Sequence, residues 1–270
     1  MSTESRRRFA ETVQSPEPDL TTACLLIGAE VRPDADLALT GAGLAELAAE
    51  VAADVTAGAS AYDQAVVLRR VIGDRHGFRG YGDDYGDLRA SLLHEVVERR
   101  RGLPILLSVV YLDAARRAGI PAYGVGLPGH FVVAVGDPES ATLLDPYAGG
   151  RLTSLAELSA RVPGGGELTT ADVTAWEPVE IVARVLNNIR VLAARTGDVR
   201  TRLWAGDLSL LLPAYHVELR RERGELRARL GDYLGAAHDL EQYAEAVAGT
   251  DDDRAEEALG EARMVRSRLN

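Results

Sequence analysis

The sequence contains no lysine, and its 30 basic residues are therefore all arginine. Without lysine, Schiff-base chemistry and the lysine of a phosphate-binding P-loop are excluded. The single cysteine, Cys24, excludes an internal disulfide bond and any metal site made from a cluster of cysteines. Long apolar runs are also missing, because none reaches the roughly 18 residues that a membrane-spanning helix requires.

Composition and charge narrow the class of protein further. A formal net charge of −11 disfavours nucleic acid and anionic membranes as general partners. Hydrophobic residues make up 46% of the 270-residue chain, which is enough for a globular core in one large domain or two smaller ones. We therefore expect a soluble cytoplasmic protein, and no motif predicts a cofactor.

The most informative stretch of the chain combines a predicted buried helix with a predicted hairpin. Pro104 opens an apolar run that Gly119 and Pro121 end, and proline suits the first helical turn as glycine suits the position after the last. Two predicted strands follow, joined by a turn. His130 begins one strand and Asp145 ends the other. We therefore expect the two side chains at the same end of the hairpin, within hydrogen-bond distance.

This order of motifs resembles the core of transglutaminase-like cysteine proteases. In that superfamily Gly-x-Cys opens the buried helix, Gly-Ile-Pro ends it, a His starts the next strand and Asp-Pro ends the one after. The corresponding motifs here are Gly102-Leu103-Pro104, Gly119-Ile120-Pro121, His130 and Asp145-Pro146. The resemblance places Pro104, within a residue or two, at the position of the nucleophilic cysteine.

A longer pattern resembles the SirB1 family of bacterial proteins. It consists of residues 98–104, Leu-Pro-Gly-His-Phe at 127–131 and Asp-Pro-Tyr-x-Gly-Gly at 145–150. The resemblance extends from about Leu20 to about Ala248. Members of that family also lack the cysteine and end in a short tetratricopeptide-like segment. The resemblance therefore implies a transglutaminase-like core that has lost its thiol.

We predict an α+β fold, with a helix-rich transglutaminase-like core followed by an α-helical tetratricopeptide-like region. The core is expected to contain a buried helix and a small antiparallel sheet. The predicted division is a mobile N-terminus at residues 1–19, the core with its N-terminal helices at 20–163, and the helical region at 164–270. Pro163-Gly164-Gly165-Gly166 is the linker that suggests this boundary. Small residues at repeat positions predict one tetratricopeptide-like hairpin at about 216–249.

Several roles remain open for His130 and Asp145. A thiol-based triad needs an imidazole and an aspartate, but Pro104 supplies no nucleophile. Ser108, one turn further along the helix, is one alternative nucleophile, and a water activated by the pair is another. Cys24 is a weaker alternative, because a cysteine in an apolar segment is usually a core residue. We favour a structural pair that holds the hairpin together without chemistry.

The segment at residues 77–87 is rich in glycine, tyrosine and aspartate. One interpretation is a binding loop beside His130. The other, which we favour, is an irregular surface crossing whose Phe78 and Tyr85 insert into the core.

The arginine cluster before the central helix also has two interpretations. Arg99, Arg100 and Arg101 could form an ion-pair network with Glu98 that braces the start of the helix, or could hold an anionic ligand. A metal site made of His94, Glu98 and His130 has no spacing rule in its favour, and we predict no metal.

Together these features predict a non-catalytic, SirB1-like protein that binds a peptide or protein partner. The residues that we predict for the binding cleft are Glu98, Arg99, Arg100, Arg101, Pro104 and Tyr147. The helical C-terminal region would supply a second interaction surface. The alternative is a hydrolase or acyltransferase of the peptidase or amidase type, which would use His130 and Asp145 with Ser108 or water.

Overall fold

A computed structural model describes residues 3–33, 35–162 and 164–269 of the chain. The helices of these residues are α1 (Thr3–Val13), α2 (Leu20–Gly28), α3 (Leu37–Asp54), α4 (Ala61–Leu68), α5 (Leu93–Arg99), α6 (Pro104–Arg117), α7 (Leu155–Ser159), α8 (Pro178–Thr196), α9 (Val199–Ser209), α10 (Glu218–Arg229), α11 (Tyr233–Val247) and α12 (Asp252–Ser267). The strands are β1 (Ala122–Leu127), β2 (His130–Val135), β3 (Thr142–Asp145) and β4 (Arg151–Thr153). The fold is therefore α+β and rich in helix.

The described chain forms two compact units. The first contains residues 17–185 together with residues 3–5, and the second contains residues 6–16 and 186–269. The change of unit falls inside α8, whereas the sequence predicted a boundary at residue 163. A glycine-rich segment therefore does not mark the change of unit, and Pro163 itself lies outside the described residues.

The N-terminus differs from the predicted mobile segment at residues 1–19. Helix α1 occupies most of it, and its Phe9 and Val13 are buried. These two residues are four apart and share one helix face, which gives the segment an apolar stripe to bury. Arg6 also pairs with Asp207 of the same unit at 2.8 Å. Met1 and Ser2 lie outside the described residues.

The sheet of the first unit has four antiparallel strands in the order β1-β2-β3-β4. Leu127 pairs with His130, so a two-residue turn of Pro128 and Gly129 joins β1 to β2. Gly129 has a φ of 70°, a conformation that glycine adopts without steric cost. One face of the sheet buries a cluster that includes Leu158 of α7. Helix α6 packs against β1 and β2.

Helix α6 begins at Pro104, as the sequence predicted. Eleven of its fourteen residues are buried, in keeping with its apolar sequence. Its one buried charge, Asp113, pairs with Arg116 at 3.1 Å and with Arg117 at 2.7 Å, and it accepts a hydrogen bond from the Thr21 hydroxyl. A buried carboxylate requires such partners, and the bond from Thr21 joins α6 to α2.

The second unit contains the helical hairpin of α10 and α11, followed by α12. Gly224 lies where the two hairpin helices approach, because a Cβ there would stand 3.1 Å from the Ala236 carbonyl oxygen. Asp239 of α11 is fully buried and pairs with Arg223 and Arg227 of α10. Among the helices of the described residues, none combines the length and the apolar character that crossing a bilayer requires.

Candidate functional site

The hairpin of the first unit brings His130 and Asp145 together. His130 is the first residue of β2 and Asp145 the last of β3, and His130 Nε2 lies 3.0 Å from Asp145 Oδ1. The Asp145 side chain is fully buried, whereas 15% of the His130 side chain is exposed. The pair therefore has a buried acidic end and an imidazole that reaches the surface.

Asp145 has three further hydrogen-bond donors. Its Oδ1 accepts from the backbone N–H groups of Tyr147 (3.1 Å) and Ala148 (3.3 Å), and its Oδ2 accepts from Arg161 Nη1 (2.8 Å). Burial acts to raise the pKa of Asp145, but the bonds from His130, Arg161 and Ala148 outweigh it and hold the pKa below its ordinary value. An ionised carboxylate only accepts, so His130 Nε2 carries the proton of this bond, and in the neutral form of the ring the lone pair is on Nδ1.

The position of the expected nucleophile holds no nucleophilic group. Pro104 is buried at the first position of α6. Ser108 is also fully buried, and its hydroxyl donates to the Pro104 carbonyl oxygen at 2.8 Å. This bond within the helix occupies the proton that an attacking serine would give to His130, so the geometry does not support Ser108 as a nucleophile.

Cys24 does not replace the missing thiol either. It lies in α2 and is buried. Burial, with a smaller contribution from the charge of Asp19, raises the pKa of its thiol to about 12. A thiol with that pKa stays protonated at neutral pH and is a poor nucleophile.

The arginine cluster pairs with the aspartates of the glycine-rich segment. Arg101 Nε lies 2.8 Å from Asp84 and its Nη2 lies 2.7 Å from Asp83, while Arg99 pairs with Asp87 at 3.0 Å. Asp84 is fully buried. These two arginines are neutralised by carboxylates of their own chain, which disfavours the interpretation that they hold an anionic ligand.

Glu98 is not a member of that network. Its side chain is 70% exposed, and its nearest basic partner is Arg32 at 3.8 Å. Arg100 is exposed and has a left-handed backbone with a φ of 57°. The ion-pair network therefore contains aspartates of the glycine-rich segment in place of Glu98. The chain turns at Arg100, and this turn directs Arg99 and Arg101 toward that segment.

The glycine-rich segment contacts Tyr147, the neighbour of His130, and its role as a binding loop stays a prediction. Phe78 is buried, but Tyr85 is 45% exposed and contacts the ring of Tyr147 at a centroid distance of 6.0 Å. Tyr147 in turn meets the His130 ring edge-on at 6.2 Å. The Gly80 N–H donates to the Tyr147 carbonyl oxygen at 2.9 Å. Tyr85 therefore forms part of the surface around the pair and does not insert into the core.

Comparison with protein families gives two matches. A model described as transglutaminase-like superfamily matches residues 40–187, more than half of the chain, including Pro104, His130 and Asp145. The chain belongs to the transglutaminase-like superfamily. A tetratricopeptide-repeat model matches residues 189–270. Repeats of that kind generally mediate protein–protein interaction.

Individual relatives of this transglutaminase-like protein come from bacteria and animals. A UPF0162 protein of Xylella fastidiosa is 35% identical over 190 residues, which are 68% of each chain. A UPF0162 protein of Pseudomonas aeruginosa is 34% identical over 198 residues, or 72% of each chain. Human F-box only protein 21 is 29% identical over 177 residues, which are 62% of this chain and 28% of that protein.

The residues considered for a metal site, His94, Glu98 and His130, do not form a group in the described structure. Within the part of the chain that the structure describes, no group of three or more His, Cys, Asp or Glu side chains is placed to hold one. His94, one of the residues considered for a metal site, is buried in α5, and no described residue hydrogen-bonds its ring nitrogens. Burial lowers its pKa. His94 is thus a neutral core residue.

Two arginines of this site were absent from the sequence-based candidates. Arg161 binds the second oxygen of Asp145. Arg184 of α8 donates from Nη2 to the carbonyl oxygens of Leu127 and His130, each at 2.9 Å. Neither arginine belongs to a motif, and each lies in a segment far along the chain from its partner. No signal in a single sequence indicates such pairings.

Proposed function

We propose that this protein is a non-catalytic, SirB1-type member of its superfamily that binds a peptide or protein partner around His130. The observation that carries the proposal is the arrangement at the start of α6. Pro104 occupies the first position of the helix, and the Ser108 hydroxyl is bonded back to it. Without a nucleophile beside the imidazole, the retained pair acts as a structural clasp for β2, β3 and the turn after β3.

Exposed tyrosines of the glycine-rich segment support a binding role. Tyr81 is 47% exposed and Tyr85 is 45% exposed, and Tyr147 links Tyr85 to His130. Tyrosine is enriched at the energetic centres of protein interfaces, because its ring buries a large area and its hydroxyl forms hydrogen bonds. The tetratricopeptide-like second unit would supply another surface, and the net charge of −11 favours a protein over nucleic acid as the partner. We place this activity in the bacterial cytoplasm.

The second candidate function is hydrolysis, in which an acyl group is transferred to a water molecule that His130 activates. It is supported by the tautomer of His130, whose free Nδ1 has the lone pair that a general base requires. In that case Asp145 would orient the imidazole, as aspartate does in catalytic triads.

His130→Gln separates the two functions. Under the proposed function, the variant and the natural protein release p-nitrophenol from p-nitrophenyl acetate at the same background rate, because no reaction passes through the imidazole. An amide substrate, followed by release of 7-amino-4-methylcoumarin, gives the same result. A rate that falls at least tenfold in His130→Gln, with an unchanged circular dichroism spectrum, would refute the non-catalytic proposal.

Tyr85→Ala tests the binding surface. Partners are first captured on the immobilised natural protein and identified by mass spectrometry. We expect them to bind Tyr85→Ala at least tenfold more weakly, which is the size of effect that a buried interface tyrosine gives. Tyr62→Ala is the matched control, since Tyr62 is 59% exposed on α4 and should leave binding unchanged. Equal loss in both variants, or no loss in Tyr85→Ala, would place the partner elsewhere.

A further inference from the structure

A small cavity opens beside His130. Its volume is about 100 Å³, and the turn between β1 and β2 forms one wall while α7 and the residues after it form the other. The lining residues are Leu127, Pro128, Gly129, His130, Leu158, Arg161, Val162 and Leu168. Neither Pro104 nor Ser108 is among them. The cavity is therefore distinct from the position of the lost nucleophile.

The cavity has apolar walls and two nitrogen-bearing side chains. The hydrogen bonds to Asp145 hold both side chains in place, through His130 Nε2 and Arg161 Nη1. A guanidinium has five N–H donors, and within the described residues only this one bond of Arg161 is present. The Arg161 side chain is 46% exposed. Most N–H donors of Arg161 are therefore free to bind a ligand, and within the same part of the chain Nδ1 of His130 is also unbonded.

The carboxylate that holds both side chains is already compensated. Asp145 is fully buried and receives hydrogen bonds from His130, Arg161, Tyr147 and Ala148. These four donors therefore compensate the charge of Asp145. The open side of the cavity presents the free N–H groups of Arg161 and hydrocarbon, the combination that recognises a carboxylate attached to a small apolar group.

We propose that this cavity binds a carboxylate bearing a short branched apolar group, such as the C-terminal valine of a peptide. The size of the apolar group follows from the cavity volume. A cavity of about 150 Å³ accepts benzene. A cavity of about 100 Å³ therefore leaves room for roughly three or four carbon atoms. Arg161 holds the carboxylate, and the leucines contact the apolar group. This inference rests on the proposed function and specifies the end of the peptide that the site recognises.

N-acetylvaline, N-acetylvalinamide and isobutyrate are the probes that test this inference. Binding is followed by the chemical shifts of the His130 ring in the full chain. We expect N-acetylvaline to bind at least tenfold more tightly than N-acetylvalinamide, which keeps the apolar group but lacks the charge. If isobutyrate matches N-acetylvaline, the ligand is a free short-chain acid; if it binds much more weakly, the ligand is a peptide C-terminus. Both results support a carboxylate site.

Arg161→Gln is the decisive variant, with Arg151→Gln as its matched control. Arg151 is 43% exposed and also pairs with a single carboxylate, that of Glu157 at 3.3 Å. Arg161→Gln is expected to weaken N-acetylvaline binding at least tenfold, and Arg151→Gln to leave it unchanged. Leu168→Phe, which fills the cavity without removing charge, should also abolish binding.

Three results would overturn the inference: no binding of any probe to the natural protein, equal binding of acid and amide, or unchanged binding in Arg161→Gln. Each of them leaves the non-catalytic proposal intact if partner capture still depends on Tyr85. Turnover that depends on His130, in contrast, would refute the proposed function itself. The two failures are therefore distinguishable.

Discussion

Asp145→Ala is expected to lower the free energy of unfolding of the first unit by about 3–5 kcal/mol, because it leaves the donors around Asp145 without their acceptor, at about 1–3 kcal/mol for each buried one. Asp145 is fully buried and is the common acceptor for His130 Nε2, Arg161 Nη1 and two backbone N–H groups. Its removal leaves several of these donors without a partner away from water, and buried unsatisfied donors are costly. Asp145→Asn should lower the free energy of unfolding nearly as much, because the NH2 group of its amide would face one of these N–H donors.

The two tryptophans of the chain allow this loss to be assigned to one unit. Trp176 lies in the first unit, with its ring edge-on to Phe131, and Trp204 lies in the second. Urea unfolding followed by fluorescence in a Trp204→Phe background reports on the first unit alone. Asp137→Ala, in the exposed turn between β2 and β3, is the control and should change stability by no more than about 0.5 kcal/mol. An equally small effect of Asp145→Ala would show that the pair is not a structural clasp.

The contribution of Asp145 to the free energy of unfolding should also depend on pH. The hydrogen bonds of His130 and Arg161 outweigh burial and lower its pKa in the folded state. Its contribution is therefore complete above the ordinary aspartate pKa of about 3.9 and is lost as the pH falls through the lower folded value. The stability difference between natural protein and Asp145→Ala should narrow below about pH 4. A difference that stays constant to pH 2.5 would contradict this account.

The central part of the site could be predicted because its signals are local. Pro104 marks a first helical turn, Gly119 a helix end, and the alternation of strands and turns around His130 and Asp145 a hairpin. Each of these signals acts through backbone conformation within a few residues. Local preferences therefore determine α6, β2 and β3 and bring the imidazole to the carboxylate.

The surroundings of the pair could not be predicted, because they depend on contacts between distant segments. Arg161 reaches the hairpin from the turn after α7 and Arg184 from α8, and Arg101 reaches back to Asp84. Arginine has a long side chain and pairs with any nearby carboxylate or carbonyl. Its partner therefore follows from the tertiary fold, which sequence spacing does not reveal. For the same reason Tyr85, a large apolar ring in the sequence, lies at the surface against Tyr147.

In the second unit, Asp239→Ala is expected to lower the free energy of unfolding by about 3–5 kcal/mol. The carboxylate is fully buried between α10 and α11. It accepts from Arg223 Nε at 2.8 Å, Arg223 Nη2 at 2.5 Å and Arg227 Nη1 at 3.0 Å. Alanine would leave two arginines facing each other, with Asp207 near both and Asp232 near Arg227 as the remaining acidic neighbours. Unfolding followed by Trp204 in a Trp176→Phe background measures the loss, and Asp253→Ala on the exposed first turn of α12 is the control.

The double variant Arg223→Met, Asp239→Ala shows whether the cost arises from charge or from packing. If the loss in Asp239→Ala comes mainly from uncompensated arginines, removing Arg223 as well should restore part of the stability. The double variant would then be more stable than the sum of the two single changes predicts, by about 1–3 kcal/mol. Strict additivity would instead mean that Asp239 matters through its volume alone. In that case the close approach of α10 and α11 at Gly224, and not the charged network, is the main interaction that joins the hairpin.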